Sequence, residues 1–423
     1  MQILKHTSLF LSAAVMMMGS VSHAHYKGKL NHSVARPAAK IMQTQKQLGG
    51  SLVNRAYIVS HDSSEMTVID LDKLEIIGRV DTGGIANHMA EMNADFTKIF
   101  VSSEGTNESI VVDTKILEVT NRIKVGQSPT HVALSRDGKY LAVMDEEEGK
   151  GAVSFIDPVK EVEVKRLPGM FTPHFMRFSP DGKYGYVANL SAHHITRVNM
   201  KTLEVEDSIP LDGFRGPPNE TEAPDEGGFA DAQIDGNGMM YAAHAATGKV
   251  LVYDTNAQAK VSELKVGARP WIVYADLPWS SMPNRYLVPN FEDQTVSVIS
   301  NTTTVTNPRP MPRVTAVVPG DNPSFGVNYS PLVPNKAFVM NRKQKDIAVV
   351  DSAKGTLLTR IAVGGNTETA STTADGKWIV ATVSSANRVV VIDAVTNQIV
   401  KTFDNVGKYP WGVTIPNGQN YCH

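Results

Sequence analysis

The sequence predicts an all-β ring of repeated four-stranded units. Three observations predict it: a phrase that recurs about every 43 residues, Asp-Gly turns between apolar runs, and an orphan strand at each end of the repeats. The phrase is a β-rich run that closes on Asp or a similar residue, at Asp70, Asp113, Asp157, Asn199, Asp254, Ser300, Asp351 and Asp393. Successive spacings are 43, 44, 42, 55, 46, 51 and 42 residues. A four-stranded unit of that length is a propeller blade, which buries its two faces only by stacking against neighbours in a closed ring.

Each element follows from the repeat. Turns such as Asp137-Gly138-Lys139-Tyr140, Asp181-Gly182-Lys183-Tyr184 and Asp375-Gly376-Lys377-Trp378 join an inner strand, A, to strand B. Strand C is the run ending in Asp, and strand D is the T-x-x-V segment after it. The first copy starts at Ala56 with strand B and lacks its strand A. The segment Tyr409 to Tyr421 has strand A character and no successor. The C-terminal strand therefore completes the first blade and closes the ring. Residues 55–423 are expected to form one eight-bladed domain, or seven-bladed if one copy is irregular; the copy around 268–319 is the least regular.

Ahead of the ring, Lys5 and His6 precede an apolar stretch, Leu9 to Val21, and the A-x-A-like Ser22-His23-Ala24. Residues 1–24 read as a secretory signal, too short to span a bilayer. Residues 25–54 read as a polar linker or strap. The expected location is the periplasm. Cleavage after Ala24 would free the amine and imidazole of His25 for a metal. The chain has one cysteine, Cys422, which excludes an intrachain disulfide, a CxxC zinc knuckle and a CxxCH haem attachment. Lys plus Arg number 41 against 43 Asp plus Glu, so neither nucleic acid nor an anionic membrane is an expected partner. No G-x-S-x-G, P-loop or dinucleotide fingerprint is present.

The repeat wording "HVALSRDGKYLAV" and "MRFSPDGKYGYVAN" resembles the YVTN family of propellers. Eight copies in an exported chain further resemble the haem d1 domain of cytochrome cd1 nitrite reductases. The likeness covers about 370 residues and speaks to fold more than to function.

The histidines carry the functional signal. In a blade the D–A and B–C loops share one face, here called the top. His88, His131 and His174 start successive inner strands, and His61, His193, His194 and His244 follow strand B. All seven of these fall on the top face. His131 is one residue out of step with the other two when counted from the hairpin Asp, which in a regular strand would turn its ring away. His193 and His194 are adjacent, so at most one is expected to join a shared site. Convergent imidazoles without a thiolate suit a borderline metal, and copper heads the divalent affinity series. His61, His88, His131, His174, His194 and His244 are the candidate ligands. Met89 and Met92 flank His88 and read as core, with thioether as a minor copper donor. The arrangement looks similar to multi-histidine copper propeller enzymes, nitrous oxide reductase and thiocyanate dehydrogenase. That likeness implies an oxidoreductase acting on a small inorganic molecule, with a separate electron carrier such as a c-type cytochrome.

Two other readings stand beside copper. Resemblance to the cd1 propeller implies haem d1, with Arg177 and Arg197 for its carboxylates. A non-enzymatic binding module is the third. Asp231 and Glu91 are candidate proton-handling groups, with Glu368 a weaker one of the same kind. The long connection Asp212 to Gly228 carries Glu220, Glu222, Asp225 and Glu226 and reads as an acidic loop or lid. Asp145 to Glu148 reads as a solvated acidic run. Trp271 and Trp411 hold similar inner-strand places and are expected to wall the channel.

Overall fold

The structure, a computed structural model, describes residues 51–420 apart from 148, 218–222, 224–225, 277–284, 305–306 and 320–323. The signal, His25, most of the linker, three acids of the long loop (Glu220, Glu222 and Asp225), and Cys422 lie outside the described residues. Those residues form eight antiparallel sheets, each an A-B-C-D blade, so the fold is the eight-bladed propeller. The strand Pro410–Thr414 pairs with Arg55–Ser60 and completes blade 1, as the orphan strands predict. Among the described residues no helix is long and apolar enough to cross a membrane.

The recurring Asp has a local cause. In blade 1 the Asp70 carboxylate accepts hydrogen bonds from the backbone N–H of Asp72 and Lys73, and Leu74 then takes a positive φ of 54°. Asp113, Asp157, Asp254, Asp351 and Asp393 close their C–D turns the same way. The Ser300 hydroxyl of blade 6 pairs with that of Thr315, 2.9 Å away. Its strands run on instead as the long hairpin Thr295–Thr304 and Asn307–Pro319, which explains the irregular copy. In the A–B turns Asp137 and Asp181 accept from the N–H of Lys139 and Lys183, with Gly138 and Gly182 at φ of 70° and 69°.

Strands A to C are buried on both faces, while strand D forms the outer, half-exposed edge. The core is a set of wedges between blades, such as Tyr186, Phe229, Met240 and Leu251 between blades 4 and 5. A second short strand follows the closing one. Gln419–Asn420 pairs with Thr367–Thr372, the inner strand of blade 8, on its channel side. The Gln419 side chain accepts from the N–H of Tyr329 in blade 7, and its carbonyl accepts from Asn328.

Candidate metal centre

Every inner strand starts with a register shift against strand B, as between Asn87 and Ala90, Pro129 and Val132, or Pro270 and Tyr274. Such a bulge places two consecutive residues opposite one and suspends the alternation of the pleat. His88 and His174 occupy its first place, where blade 3 has Thr130; His131 occupies the second. The bulge therefore absorbs the one-residue slip, and His131 lies between its neighbours. Ring centroids are 4.8 Å apart for His88 and His131, and 4.0 Å for His131 and His174.

All three rings are buried, and each Nδ1 is engaged. His88 Nδ1 is 2.7 Å from Glu104 Oε1. His131 Nδ1 is 2.9 Å from Thr130 Oγ1 and 3.3 Å from Glu146 Oε1. His174 Nδ1 is 2.8 Å from the carbonyl of Ala230. A carbonyl and a carboxylate only accept, and Thr130 donates its own proton to Glu146, so each Nδ1 carries the hydrogen. The lone pair of every ring is then on Nε2, the arrangement that metal-binding histidines adopt. Burial and the neighbouring His131 push His174 down to about 3, so its ring is neutral and ligand-ready across the physiological range. Donor atoms of His131, Glu146 and His174 lie within 4.8 Å of one another.

The row is bracketed by tryptophans. Trp411 meets His88 edge-on at 5.2 Å, and Trp271 meets His174 at 6.0 Å. His61 lies beyond Trp411, at 6.1 Å, with its Nδ1 2.7 Å from Asp62. The remaining histidines have other surroundings. His194 bonds Thr196 through Nε2. His193, rather than His194, meets His244, with Nδ1 and Nε2 3.0 Å apart, and Phe214 from the long loop stacks on it at 3.9 Å. His88, His131 and His174 are thus together, His61 adjoins them, and His194 and His244 belong elsewhere on the face. Met89 packs with Trp411, whereas Met92 lies in the core of blades 1 and 2.

The acidic groups divide similarly. Asp231 is buried in a two-pronged ion pair with Arg177, at 3.0 and 2.6 Å, and Arg177 also covers the Phe175 ring. Arg197 is near Asp207, Tyr184 and Tyr253, remote in the fold from the inner strands. Glu91 is half-buried, and burial pushes its carboxyl up to about 7 against the pull of the Met92 N–H and Arg177. Glu368 is ion-paired to Arg342 at 2.6 Å and accepts from Tyr409 and Ser384. The expectation of a solvated run at 145–148 fails at its start. Asp145 and Glu146 are buried, because strand B continues through Asp145 and delivers Glu146 to His131.

Glu104, Arg342 and the role of Glu146 escape a search for histidines, yet a periodic signal marks them. The residue just after strand B is His61, Glu104, Glu146, Arg342 and Ser384 in blades 1, 2, 3, 7 and 8, and each touches the inner-strand row.

No known protein family profile matches the chain, and no curated protein matches it in sequence. Solved structures match in fold. Dihydro-haem d1 dehydrogenase NirN in complex with DHE aligns with a TM-score of 0.67 at 17% identity, over 90% of this chain and 80% of that one. Apo AztD from Citrobacter koseri gives 0.56 at 12%, over 85% and 96%. Kuenenia stuttgartiensis hydrazine synthase gives 0.51 at 16%, over 73% and 98%. At these identities the likeness is one of fold.

Proposed function

We propose that this chain is an exported metalloprotein holding a transition metal on its top face through Nε2 of His88, His131 and His174. The observation that carries the reading is the capture of all three Nδ1 atoms by acceptors, which orients three adjacent imidazoles as ligands. Glu104 and Glu146 supply two carboxylates to balance a dication and position the rings. Three nitrogen donors without thiolate suit copper, which we favour, or zinc. Copper would supply one-electron chemistry, and the activity that fits is oxidation or reduction of a small inorganic molecule with an outside electron carrier. Glu91, on the same inner strand as His88, is the proton-handling group we assign.

Haem d1 is the second reading, supported by the fold likeness to NirN. Against it, Arg177 is already committed to Asp231, and Arg197 lies in strand C of blade 4, outside the row.

The test is elemental analysis and a visible spectrum of protein purified from the periplasm. Copper without porphyrin bands, lost in His131→Ala and His174→Ala variants that keep the wild-type unfolding transition, is the expected result. Iron with long-wavelength bands would move the assignment to haem d1. Metal-free protein that takes up no copper would overturn both and leave a binding module.

A further inference from the structure

The histidine row runs out to the surface at one end. His88 meets the Trp411 indole edge-on at 5.2 Å between ring centroids, and Tyr409 lies beside that indole at 5.8 Å with only 22° between the planes. Both separations are those of rings in contact. Trp411 is buried, whereas Tyr409 is half-buried on the top-face loop between Ile399–Asp404 and Pro410–Thr414. His88, Trp411 and Tyr409 therefore form an unbroken series of π-systems from the row to solvent. The series is held in place: the Trp411 carbonyl accepts from Thr369, the Tyr409 hydroxyl donates to Glu368, and the Tyr409 N–H donates to Asn387. At the other end of the row the path leads inward, because Trp271, which meets His174, is packed in a buried cluster with Ile272, Tyr274 and Leu287.

The surface at the open end is positively charged. Lys408 precedes Tyr409, and Lys343 and Lys345 follow Arg342, whose guanidinium lies over the Trp411 ring. All three lysines are exposed, and none is in an ion pair among the described residues. The blade 1 loop whose backbone bonds to Lys408 and Tyr409 carries one acid, Asp62. An excess of exposed cations steers and orients a partner with an acidic patch.

We propose that electrons pass between the histidine row and a soluble carrier through Trp411 and Tyr409, the carrier being a one-electron protein that docks an acidic patch on Lys343, Lys345 and Lys408. This rests on the metal reading above and adds the chemistry of the partner and its place on the ring. In the oxidising direction one electron leaves a cuprous ion held by the row and reduces a ferric haem. Copper is oxidised and iron reduced, no bond forms or breaks, and no proton moves. The two rings keep their own electrons; they contribute contact without a gap.

The test mixes the full chain, copper-loaded and reduced, with ferric c-type cytochromes of acidic or basic surface and follows haem reduction by stopped flow. The acidic cytochrome should react faster, and its rate should fall as salt is raised. Tyr409→Leu should slow it about tenfold at unchanged copper content and copper potential, while Tyr409→Phe, which keeps the ring, should react as wild type. Lys343→Glu combined with Lys408→Glu, exposed substitutions that leave the fold intact, should abolish the preference for the acidic cytochrome. Docking needs no metal, so the same pair should weaken binding of that cytochrome to the metal-free chain about tenfold. A Tyr409→Leu rate equal to wild type overturns the route. So does a loss accompanied by a shifted copper potential, because the ring would then act only by holding the row. A preference and an affinity untouched by the charge reversals overturn the docking face. A wild-type chain that takes up no copper sinks the metal reading and the route with it, while the metal-free titration still decides the docking face.

Discussion

Single side chains set the electrostatics of the top face. Burial pushes Asp145 up to about 7, offset in part by the Ser154 hydroxyl that donates to it. Its native pKa is above the unfolded value, so the native state binds the extra proton between about pH 4 and 7, and stability falls as pH rises through that window. His174 and His244 work in the opposite sense. Both are driven down to about 3, chiefly by burial, so the unfolded chain binds protons first and stability falls as pH drops from about 6.5 to 3. Asp145→Asn keeps an acceptor for Ser154 and removes the ionisation. Its thermal midpoint, measured without metal, should gain on wild type from pH 5 to about 7 and level off above it; parallel curves would contradict the burial cause. At this scale the sequence was half legible. The three successive histidines stand out by spacing, but Glu146 hides in an acidic run that looks solvated. Its burial depends on where strand B ends, which composition does not reveal.

At the scale of the element, the bulge is what turns a repeat into a site. Without it, period two would send His131 away from His88 and His174. Gly412, in the bulge of the closing strand, shows how tight this is. A Cβ there would lie 2.8 Å from Val59 Cγ2, 2.9 Å from Met89 Sδ and 3.0 Å from the His88 carbonyl. The two side chains can yield, but the carbonyl belongs to the neighbouring bulge. Gly412→Ala should cost about 1–3 kcal/mol in denaturant unfolding and loosen metal binding by shifting His88. Unaltered values for both would show that the strands slide freely. The strands themselves were plain in the sequence, since Asp-Gly turns and Asp-capped runs fix their ends chemically. The bulges were not, because no single residue type marks them: their first place holds Trp411, His88, Thr130 and His174 in the first four blades.

The whole molecule is a ring joined by a late strand and plugged by the segment after it. Gln419 and Asn420 add to the inner strand of blade 8 on the channel side and reach across to blade 7. Deleting residues 418–423 should leave blade 1 closed, because Pro410–Thr414 remains. Backbone amide exchange at residues 328–329 and 371–372 should speed up while the other inner strands keep their protection. General loss of protection would instead make the plug part of the closure. Eight blades and closure by an orphan strand were legible from the count of repeats and their unequal ends; the plug was not, since two residues carry no pattern. Closure has a consequence in time. Thr414 donates to the carbonyl of Ala90, 324 residues earlier, and Trp411 reaches His88 over a similar span. Until residue 414 has been synthesised, blade 1 carries an unpaired strand edge at Arg55–Ser60, a template for pairing with other chains. A product that ends after blade 8 but before Pro410 is an open arc with this edge left exposed.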